Sequence, residues 1–227
     1  MKKIFIRATI IIMSICVFST SLLYFPYKWI TIVSDGDAIP QYKNPQTALL
    51  IIDVQRNLTS EDGTWILNLN QTDDMIEQIN RIIEKSTKSN IIVIYITNEI
   101  KKYSPLNHFT NRAMEENTDG AKMDKRIMIV NNNHFIKSRM DAFTNNEFES
   151  FLKKHRINHI IVTGIDAEDC VDKTIKGALN RNYLTTVITD AIATASDERR
   201  EYKILEFKNL GVATLTTEEF VNQVWDE

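Results

Sequence analysis

Short runs of aliphatic and β-branched residues alternate with longer amphipathic stretches from Thr47 almost to the end of the chain. The runs do not alternate strictly between polar and apolar residues, which is typical of strands covered by helices on both faces. Five runs are clear, and a weaker sixth is predicted near the middle of the chain: residues 47–54, 91–97, 159–165, 184–191 and 211–217, with the weak one at 134–137. This order predicts a three-layer αβα fold with a mostly parallel, Rossmann-like sheet and right-handed crossovers.

The stretches between the runs place apolar residues at helical spacing. The first predicted helix contains Met75, Ile79 and Ile83, and Thr72 is its expected N-cap. The other predicted helices cover residues 144–156, 170–182 and 197–209. Residues 98–133 fit neither pattern, because they are polar and rich in asparagine, and a loop of that length in a compact domain is usually functional or mobile.

The N-terminus has a different composition. Lys2, Lys3 and Arg7 precede an uncharged apolar stretch at residues 8–25, which is about the length that a helix needs to cross a bilayer. A buried core helix is disfavoured because no polar face is present. A cleaved signal peptide is the main alternative, although no small-x-small cleavage site follows. We therefore divide the chain into a membrane anchor or signal segment (1–26), a tether (27–45) and a globular domain (46–227).

The charges that flank this stretch predict its orientation. Basic residues ahead of the apolar stretch favour a cytoplasmic N-terminus. The domain would then lie on the outer face of the cytoplasmic membrane, periplasmic or extracellular, or be secreted if the segment is cleaved. A net charge of −3 and a pI near 5.9 give no reason to expect a nucleic-acid partner.

Three chemically capable side chains follow predicted strands. In a parallel sheet, ligands bind beyond the carboxyl ends of the strands. Asp53, Lys137 and Cys170 all fall at such ends, so we expect them to meet. The start of a helix and a nearby lysine would stabilise a thiolate, and Asp53 could accept the thiol proton. Taken singly, each residue has a commoner structural role: a turn aspartate, a solvated lysine and a buried cysteine.

Acidic residues and the small number of cysteines limit what Cys170 can do. The acids at positions 166, 168 and 169 would oppose a thiolate. Cys16 is the second cysteine and lies in the apolar N-terminal stretch, so a disulfide is not expected. A redox role for Cys170 is weaker than a catalytic one, because the domain has no second cysteine to resolve an oxidised sulfur.

The three residues lie in segments that resemble a known family. The segments "LLIIDVQRNL", "HFIKSRMDAF" and "VTGIDAEDCV", in this order and spacing, resemble those of the isochorismatase-like cysteine hydrolases, which include nicotinamidases and N-carbamoylsarcosine amidases. The resemblance covers about residues 46–220. It implies an isochorismatase-like fold in which Asp53, Lys137 and Cys170 form a catalytic triad. The implied reaction cleaves the C–N bond of a small amide or ureido compound through a thioester.

The resemblance also implies an oxyanion hole. Its donors would be the backbone N–H groups of Asp166 and Cys170, with a cis peptide between Ile165 and Asp166. Asp166 and Ala167 depart from the family pattern, in which small or neutral residues and a threonine are common at these two positions. A carboxylate beside an oxyanion hole should disfavour negative charge there unless it is paired or points outward. Retention of Cys170 favours an amide over the vinyl ether of isochorismate.

Further candidates for the pocket wall are the polar and aromatic residues near these segments: Gln55, Asn57, Trp65, Tyr103, His108 and Phe109. Gln55 is either an orienting residue for the Asp53 loop or a surface amide. Nicotinamidases of the family carry a metal site after the second strand, but here one histidine, His108, stands there without an aspartate partner. We expect no metal and no cofactor. The resemblance further implies that the chain can form a homo-oligomer. The alternative function is a catalytically silent module that binds a metabolite.

Overall fold

The computed structural model describes residues 27–108 and 110–223. Within them, six strands form one parallel sheet in the order β3-β2-β1-β4-β5-β6. The strands are β1 (Gln46–Ile52), β2 (Ile92–Asn98), β3 (His134–Lys137), β4 (Ile157–Ile165), β5 (Leu184–Ala193) and β6 (Ala213–Leu215). The predicted weak strand at 134–137 is therefore confirmed, and it forms one edge of the sheet.

Helices follow most of the strands. They are α1 (residues 27–31), α2 (Arg56–Thr59), α3 (Leu69–Lys88), α4 (Asn146–Lys154), α5 (Cys170–Leu179), α6 (Asp197–Asn209) and α7 (Thr217–Asn222). The last predicted strand ends earlier than expected, at Leu215. Thr216 instead caps α7 in a reciprocal capping box with Glu219.

The sheet separates two apolar layers, as the sequence predicts. On one face, α3 and α7 bury residues such as Met75, Ile79 and Phe220 against the sheet. On the other face, α4, α5 and α6 contribute the second cluster, which includes Phe148 and Ile175. Both faces of β1 are buried, since its side chains divide between the two clusters. The carboxyl end of β1 is therefore held at the centre of the sheet.

The first long helix begins before the predicted cap. Asn68 is the N-cap, and its side chain accepts a hydrogen bond from the Gln71 N–H at 3.3 Å. Thr72 is buried inside the helix and donates its hydroxyl to the Leu69 carbonyl at 3.0 Å. The apolar spacing did not predict that α3 starts this early, because residues 69–71 lack the pattern that marks the rest of the helix.

The structure does not describe the segment that we predict to cross the membrane. Across residues 27–108 and 110–223, no helix is long and apolar enough to span a bilayer. The apolar stretch at residues 8–25 lies outside the described residues. Residues 27–45, which we expected to be a tether, contact the domain: the Ile39 N–H donates to the Arg181 carbonyl at 2.9 Å.

The long segment at 98–133 is folded onto the domain by polar contacts. Arg126 donates to the Thr59 carbonyl at 2.8 Å and pairs with the buried Asp124 at 2.8 Å. Asp124 also accepts a hydrogen bond from the Thr59 hydroxyl at 2.6 Å. These contacts hold the segment above the carboxyl ends of β1 and β2, where the predicted site lies.

Candidate active site

Asp53, Lys137 and Cys170 meet at the carboxyl ends of β1, β3 and β4. The Lys137 Nζ lies 2.7 Å from Asp53 Oδ2 and 3.2 Å from Cys170 Sγ. Asp53 and Lys137 are 1% and 3% exposed, whereas Cys170 is only partly buried. The ammonium thus lies between the carboxylate and the thiol, and the thiol is the member that a ligand can reach.

The backbone explains why these three side chains converge. Asp53 directly follows β1 and has a left-handed conformation with φ of 52°, and its N–H donates to the Ile96 carbonyl at 2.8 Å. Lys137 is the last residue of β3 and pairs in register with Asn98 of β2. Cys170 is the first residue of α5. The parallel sheet therefore brings together residues that are 84 and 33 positions apart.

A close approach between β1 and β4 supports this arrangement. Gly164 has φ of 116°, and a Cβ placed on it would lie 2.1 Å from the Ile52 carbonyl oxygen. Only glycine fits there, since a side chain would need both a rare backbone conformation and space that β1 occupies. Ile52 is the residue before Asp53, so this contact fixes the position of the carboxylate relative to the segment that leads to Cys170.

The segment between β4 and α5 has the geometry that the resemblance implies. A cis peptide joins Ile165 to Asp166, as expected. The Asp166 carbonyl accepts hydrogen bonds from the N–H groups of Asp169 and Val171, both at 3.1 Å. In the described part of the chain, the N–H groups of Asp166 and Cys170 donate to no protein acceptor. They remain free to bind an oxygen of a ligand.

Burial and charge set the protonation of the three residues. Burial raises the pKa of the Cys170 thiol above its usual value; the Asp53 carboxylate raises it further, and Lys137 opposes this. Burial raises the pKa of Asp53 as well, against the effect of Lys137. Burial alone would lower the pKa of Lys137, but Asp53 and the neighbouring sulfur outweigh it and raise the pKa. Burial and Asp53 thus both favour the protonated thiol, whereas Lys137 favours the thiolate.

The acids near Cys170 are held in different ways. Glu168 is paired outside the site, with the Thr194 hydroxyl at 2.9 Å and with Arg199 at 2.6 Å. Asp166 accepts a hydrogen bond from the Glu168 N–H at 2.9 Å, and burial raises the pKa of its carboxyl. Burial also raises the pKa of Asp169. Arg199 therefore offsets the charge of Glu168, and burial favours the neutral form of Asp166 and of Asp169.

Cys170 opens into a cavity of about 510 Å³. Asp53, Asn98, Asp166 and Asp169 line it next to the thiol. Much of the remaining wall is apolar and comes from the segments after β1 and β2: Leu58, Trp65, Leu67, Ile100, Leu106 and Met114. A ligand with a polar head and an apolar body matches this lining.

Only one of the described pocket candidates lines the cavity. Trp65 does so. Gln55 is fully buried, and its amide bonds to the Asn98 carbonyl at 2.9 Å and the Asn98 N–H at 2.9 Å, so it orients the ends of β1 and β2. Asn57 donates to the Ala113 carbonyl at 2.7 Å and supports the long segment.

The remaining candidates for the pocket wall are exposed or lie outside the described residues. Tyr103 is 92% exposed, and His108 is exposed at the end of a 3₁₀ turn; neither lines the cavity. These residues were chosen by type, but the turns of segment 98–133 direct them outward. Phe109 lies outside the described residues.

Several lining residues were not foreseen. Asn98 ends β2, so the rule that identified Asp53 could have found it as well. Tyr27, Ile30 and Met140 also line the cavity, and nothing in their sequence context signals this. As for metals, residues 27–108 and 110–223 contain no group of three or more His, Cys, Asp or Glu side chains able to hold an ion.

Comparison with known proteins agrees with this fold. The family model described as "Isochorismatase domain" matches residues 47–219. The chain belongs to the isochorismatase family.

Individual relatives share most of the domain. A protein of Arabidopsis thaliana described as a probable inactive nicotinamidase is 26% identical over 190 residues, which cover 78% of this chain and 96% of that protein. The ureidoacrylate amidohydrolase of an Enterobacter species is 24% identical over 177 residues, covering 67% and 77%. The crystal structure of an N-carbamoylsarcosine amidase from Thermoplasma acidophilum has a TM-score of 0.66 at 20% identity, covering 77% and 98% of the two chains.

Proposed function

We propose that this protein is a cysteine hydrolase that cleaves the C–N bond of an amide or ureido compound through a thioester. One observation carries the proposal: a buried ammonium that contacts both a carboxylate and a thiol, with the thiol open to a cavity. This arrangement supplies a nucleophile, a base for its proton and an orienting charge. Relatives named as an ureidoacrylate amidohydrolase and an N-carbamoylsarcosine amidase support the amide or ureido class.

In the first half-reaction, Cys170 Sγ attacks the carbonyl carbon while Asp53 takes the thiol proton. The raised pKa of Asp53 makes it a better acceptor for that proton. Negative charge develops on the carbonyl oxygen, and the N–H groups of Asp166 and Cys170 would stabilise it. The C–N bond then breaks, and the nitrogen leaves with the proton from Asp53. Lys137 stays charged and keeps both partners in place.

In the second half-reaction, water attacks the thioester. Asp53 takes one proton from that water, and the tetrahedral intermediate collapses with cleavage of the C–S bond. The thiolate leaves and recovers its proton from Asp53. The acyl group departs as a carboxylic acid, or as the carbamic acid when the substrate is a urea. The site is then in its starting state.

Replacement of the nucleophile tests this proposal. Cys170→Ala should abolish hydrolysis in a screen of small amides and ureas, because no other thiol is present in the domain. Cys16→Ala is the matched control and should keep the activity of the parent. Retention of activity within about tenfold in Cys170→Ala, a difference of about 1.4 kcal/mol in the barrier, would rule out a covalent mechanism.

A catalytically silent binding module is the second candidate. The relative described as a probable inactive nicotinamidase and the raised pKa of the Cys170 thiol favour it. The same screen separates the two, if each compound is measured for thermal stabilisation of the protein and for release of ammonia or amine. Compounds that stabilise the protein without any product from the parent would support the binding module.

We also infer that the apolar stretch at residues 8–25 anchors the protein, with the hydrolase domain on the outer face of the cytoplasmic membrane. Lys2, Lys3 and Arg7 support a cytoplasmic N-terminus. The length of the stretch supports a span more than a buried helix.

A further inference from the structure

Residues 34–39 are attached to the domain by two buried side chains. Asp141 is fully buried and accepts hydrogen bonds from the Ser34 N–H at 2.8 Å and the Ser34 hydroxyl at 2.6 Å. Arg181 is 2% exposed and donates to the carbonyls of Ser34 at 3.1 Å and Asp35 at 2.9 Å. Gly36 allows the chain to pass close to Arg181, since a Cβ there would lie 2.5 Å from the guanidinium Nε.

A second attachment lies nearer the N-terminus. The Met140 N–H donates to the Ile30 carbonyl at 2.9 Å, and Arg139 donates to the Ile32 carbonyl at 3.0 Å. The Arg139 guanidinium also lies 5.2 Å from the centre of the Trp29 ring. Arg139 and Met140 follow Lys137 closely, so this attachment places α1 beside the site.

The attached segment reaches the cavity. Tyr27 and Ile30 of α1 line the same cavity as Cys170. Both precede the family domain, which begins at residue 47. The family domain alone, without residues 27–46, would therefore leave this side of the cavity open.

The cavity is larger and more apolar than a simple carboxamide needs. Its volume of about 510 Å³ falls in the range of pockets that hold drug-sized ligands, roughly 300–1,000 Å³. Tyr27 and Ile30 add apolar surface to a wall that already includes Trp65 and Met114. Arg139 also lines the cavity, but Ile32 and Trp29 engage its guanidinium.

We propose that residues 27–39 form part of the substrate site, and that the wall made by Tyr27 and Ile30 selects amides with an extended apolar group. This inference rests on the proposed amide hydrolysis. The carboxamide would lie at Cys170 and the hydrocarbon would contact α1. Each methylene that leaves water for such a wall should raise kcat/KM by roughly threefold to fourfold.

The test uses the full-length protein and straight-chain primary amides from acetamide to hexanamide. We expect kcat/KM to rise at least about fiftyfold over this series, because four methylenes are added. The double variant Tyr27→Ala/Ile30→Ala should lower the hexanamide-to-acetamide ratio of kcat/KM by at least about tenfold.

A matched double variant controls for lost surface. Tyr202→Ala/Ile129→Ala removes the same two side-chain types at exposed positions outside residues 27–39 that do not line the cavity. It should leave the hexanamide-to-acetamide ratio at the value of the parent. A ratio that falls equally in both double variants, or in neither, would overturn the proposal.

Binding to Cys170→Ala, measured by calorimetry, separates this proposal from the proposed reaction. One outcome is that the parent hydrolyses none of the amides, hexanamide binds better than acetamide, and the Tyr27→Ala/Ile30→Ala change removes that preference. This outcome would support the role of Tyr27 and Ile30 in binding and contradict the proposed amide hydrolysis. If the parent hydrolyses the amides without preference for longer chains, the proposed reaction is supported and the proposed selectivity of Tyr27 and Ile30 is contradicted. Absence of both binding and hydrolysis overturns both.

Discussion

Asp53 combines an uncommon backbone conformation with two chemical tasks. Its φ of 52° lies in the left-handed region, which Asn and Asp enter more readily than other residues with a side chain. An asparagine can therefore replace it without new backbone strain. That substitution removes the negative charge and the capacity to accept a proton, and little else, which makes it a clean probe of both tasks.

We predict that Asp53→Asn has opposite effects on catalysis and on thiol reactivity. Hydrolysis should fall by at least about a hundredfold, the usual scale for a lost general base. Alkylation of Cys170 by iodoacetamide at neutral pH should become faster, because the Asp53 charge raises the pKa of the thiol while Lys137 lowers it. Alkylation rates from pH 6 to 10 would show the profile of Cys170 shifted to lower pH.

Asp166→Asn is the control for a charge removed nearby. Burial, Asp53 and Lys137 are the main causes of the Cys170 pKa shift, so the alkylation profile should move much less than in Asp53→Asn. Loss of charge beside the proposed oxyanion site should leave hydrolysis unchanged or faster. Equal and mild effects of both variants on hydrolysis would make Asp53 a structural turn residue.

At the scale of elements, the contact between β1 and β4 is the most sensitive point of the site. We predict that Gly164→Ala displaces the end of β1, because the new Cβ would lie 2.1 Å from the Ile52 carbonyl oxygen. The strained backbone alone costs on the order of 1–3 kcal/mol of the free energy of unfolding, and hydrolysis should be lost. Urea unfolding and turnover measure the two effects.

Gly211→Ala is a control that separates the effect of backbone strain from the effect of steric overlap with a neighbouring strand. Gly211 also has a positive φ, of 82°, but a Cβ there meets nothing within 4 Å. This variant should lose some stability and keep the activity of the parent. If Gly164→Ala behaved in the same way, the close approach of the two strands would have no role in positioning Asp53.

Helices α5 and α6 are joined by a buried charge cluster. Asp172, at 1% exposure, contacts Lys203 at 2.6 Å, Lys176 at 2.8 Å and Lys173 at 2.7 Å. Burial alone would raise the pKa of Asp172, but these lysines reverse the effect and lower it. Since Lys203 is also buried, removal of the carboxylate would leave its ammonium in the interior with only the partly exposed Glu206, at 2.9 Å, to balance its charge.

We predict that Asp172→Asn lowers the free energy of unfolding by about 3 kcal/mol at pH 7. A depressed pKa in the folded state stabilises the protein above the unfolded value of 3.8, and this contribution disappears as pH falls through the folded pKa. The difference between parent and variant should therefore shrink below about pH 4 in urea titrations. Asp197→Asn, which breaks an exposed pair with Arg200, should cost less than about 1 kcal/mol at any pH.

At the scale of the whole molecule, the proposed topology makes one prediction. A reporter enzyme fused after residue 227 should be active only in the form that works outside the cytoplasm. Replacing Lys2, Lys3 and Arg7 by acidic residues should weaken this orientation, because the basic residues hold the N-terminus inside. Activity of a cytoplasmic reporter in the parent fusion would contradict the proposed outer location.

The sequence predicted the parts of the site that follow from sheet topology. Strand ends are local patterns, and a parallel sheet brings them to one edge, so Asp53, Lys137 and Cys170 could be placed together. The long segment was predicted less well, since which side of a turn Tyr103 takes depends on contacts made elsewhere. The position of Tyr27 in the cavity wall could not be foreseen at all, because the segment that carries it is attached to residues 139–141, more than a hundred positions away.

The attachment of residues 34–39 through Asp141 and Arg181 has a thermodynamic consequence for the substrate proposal. Suppose that a ligand binds more tightly when α1 is attached to the domain. The ligand must then shift the equilibrium toward the attached state by the same factor by which attachment raises its affinity, because coupling between two equilibria is reciprocal. A long-chain amide would then slow proteolysis of residues 40–45, whereas acetamide would not. Affinity for substrate and protection of a distant stretch of chain would be two measurements of one free energy.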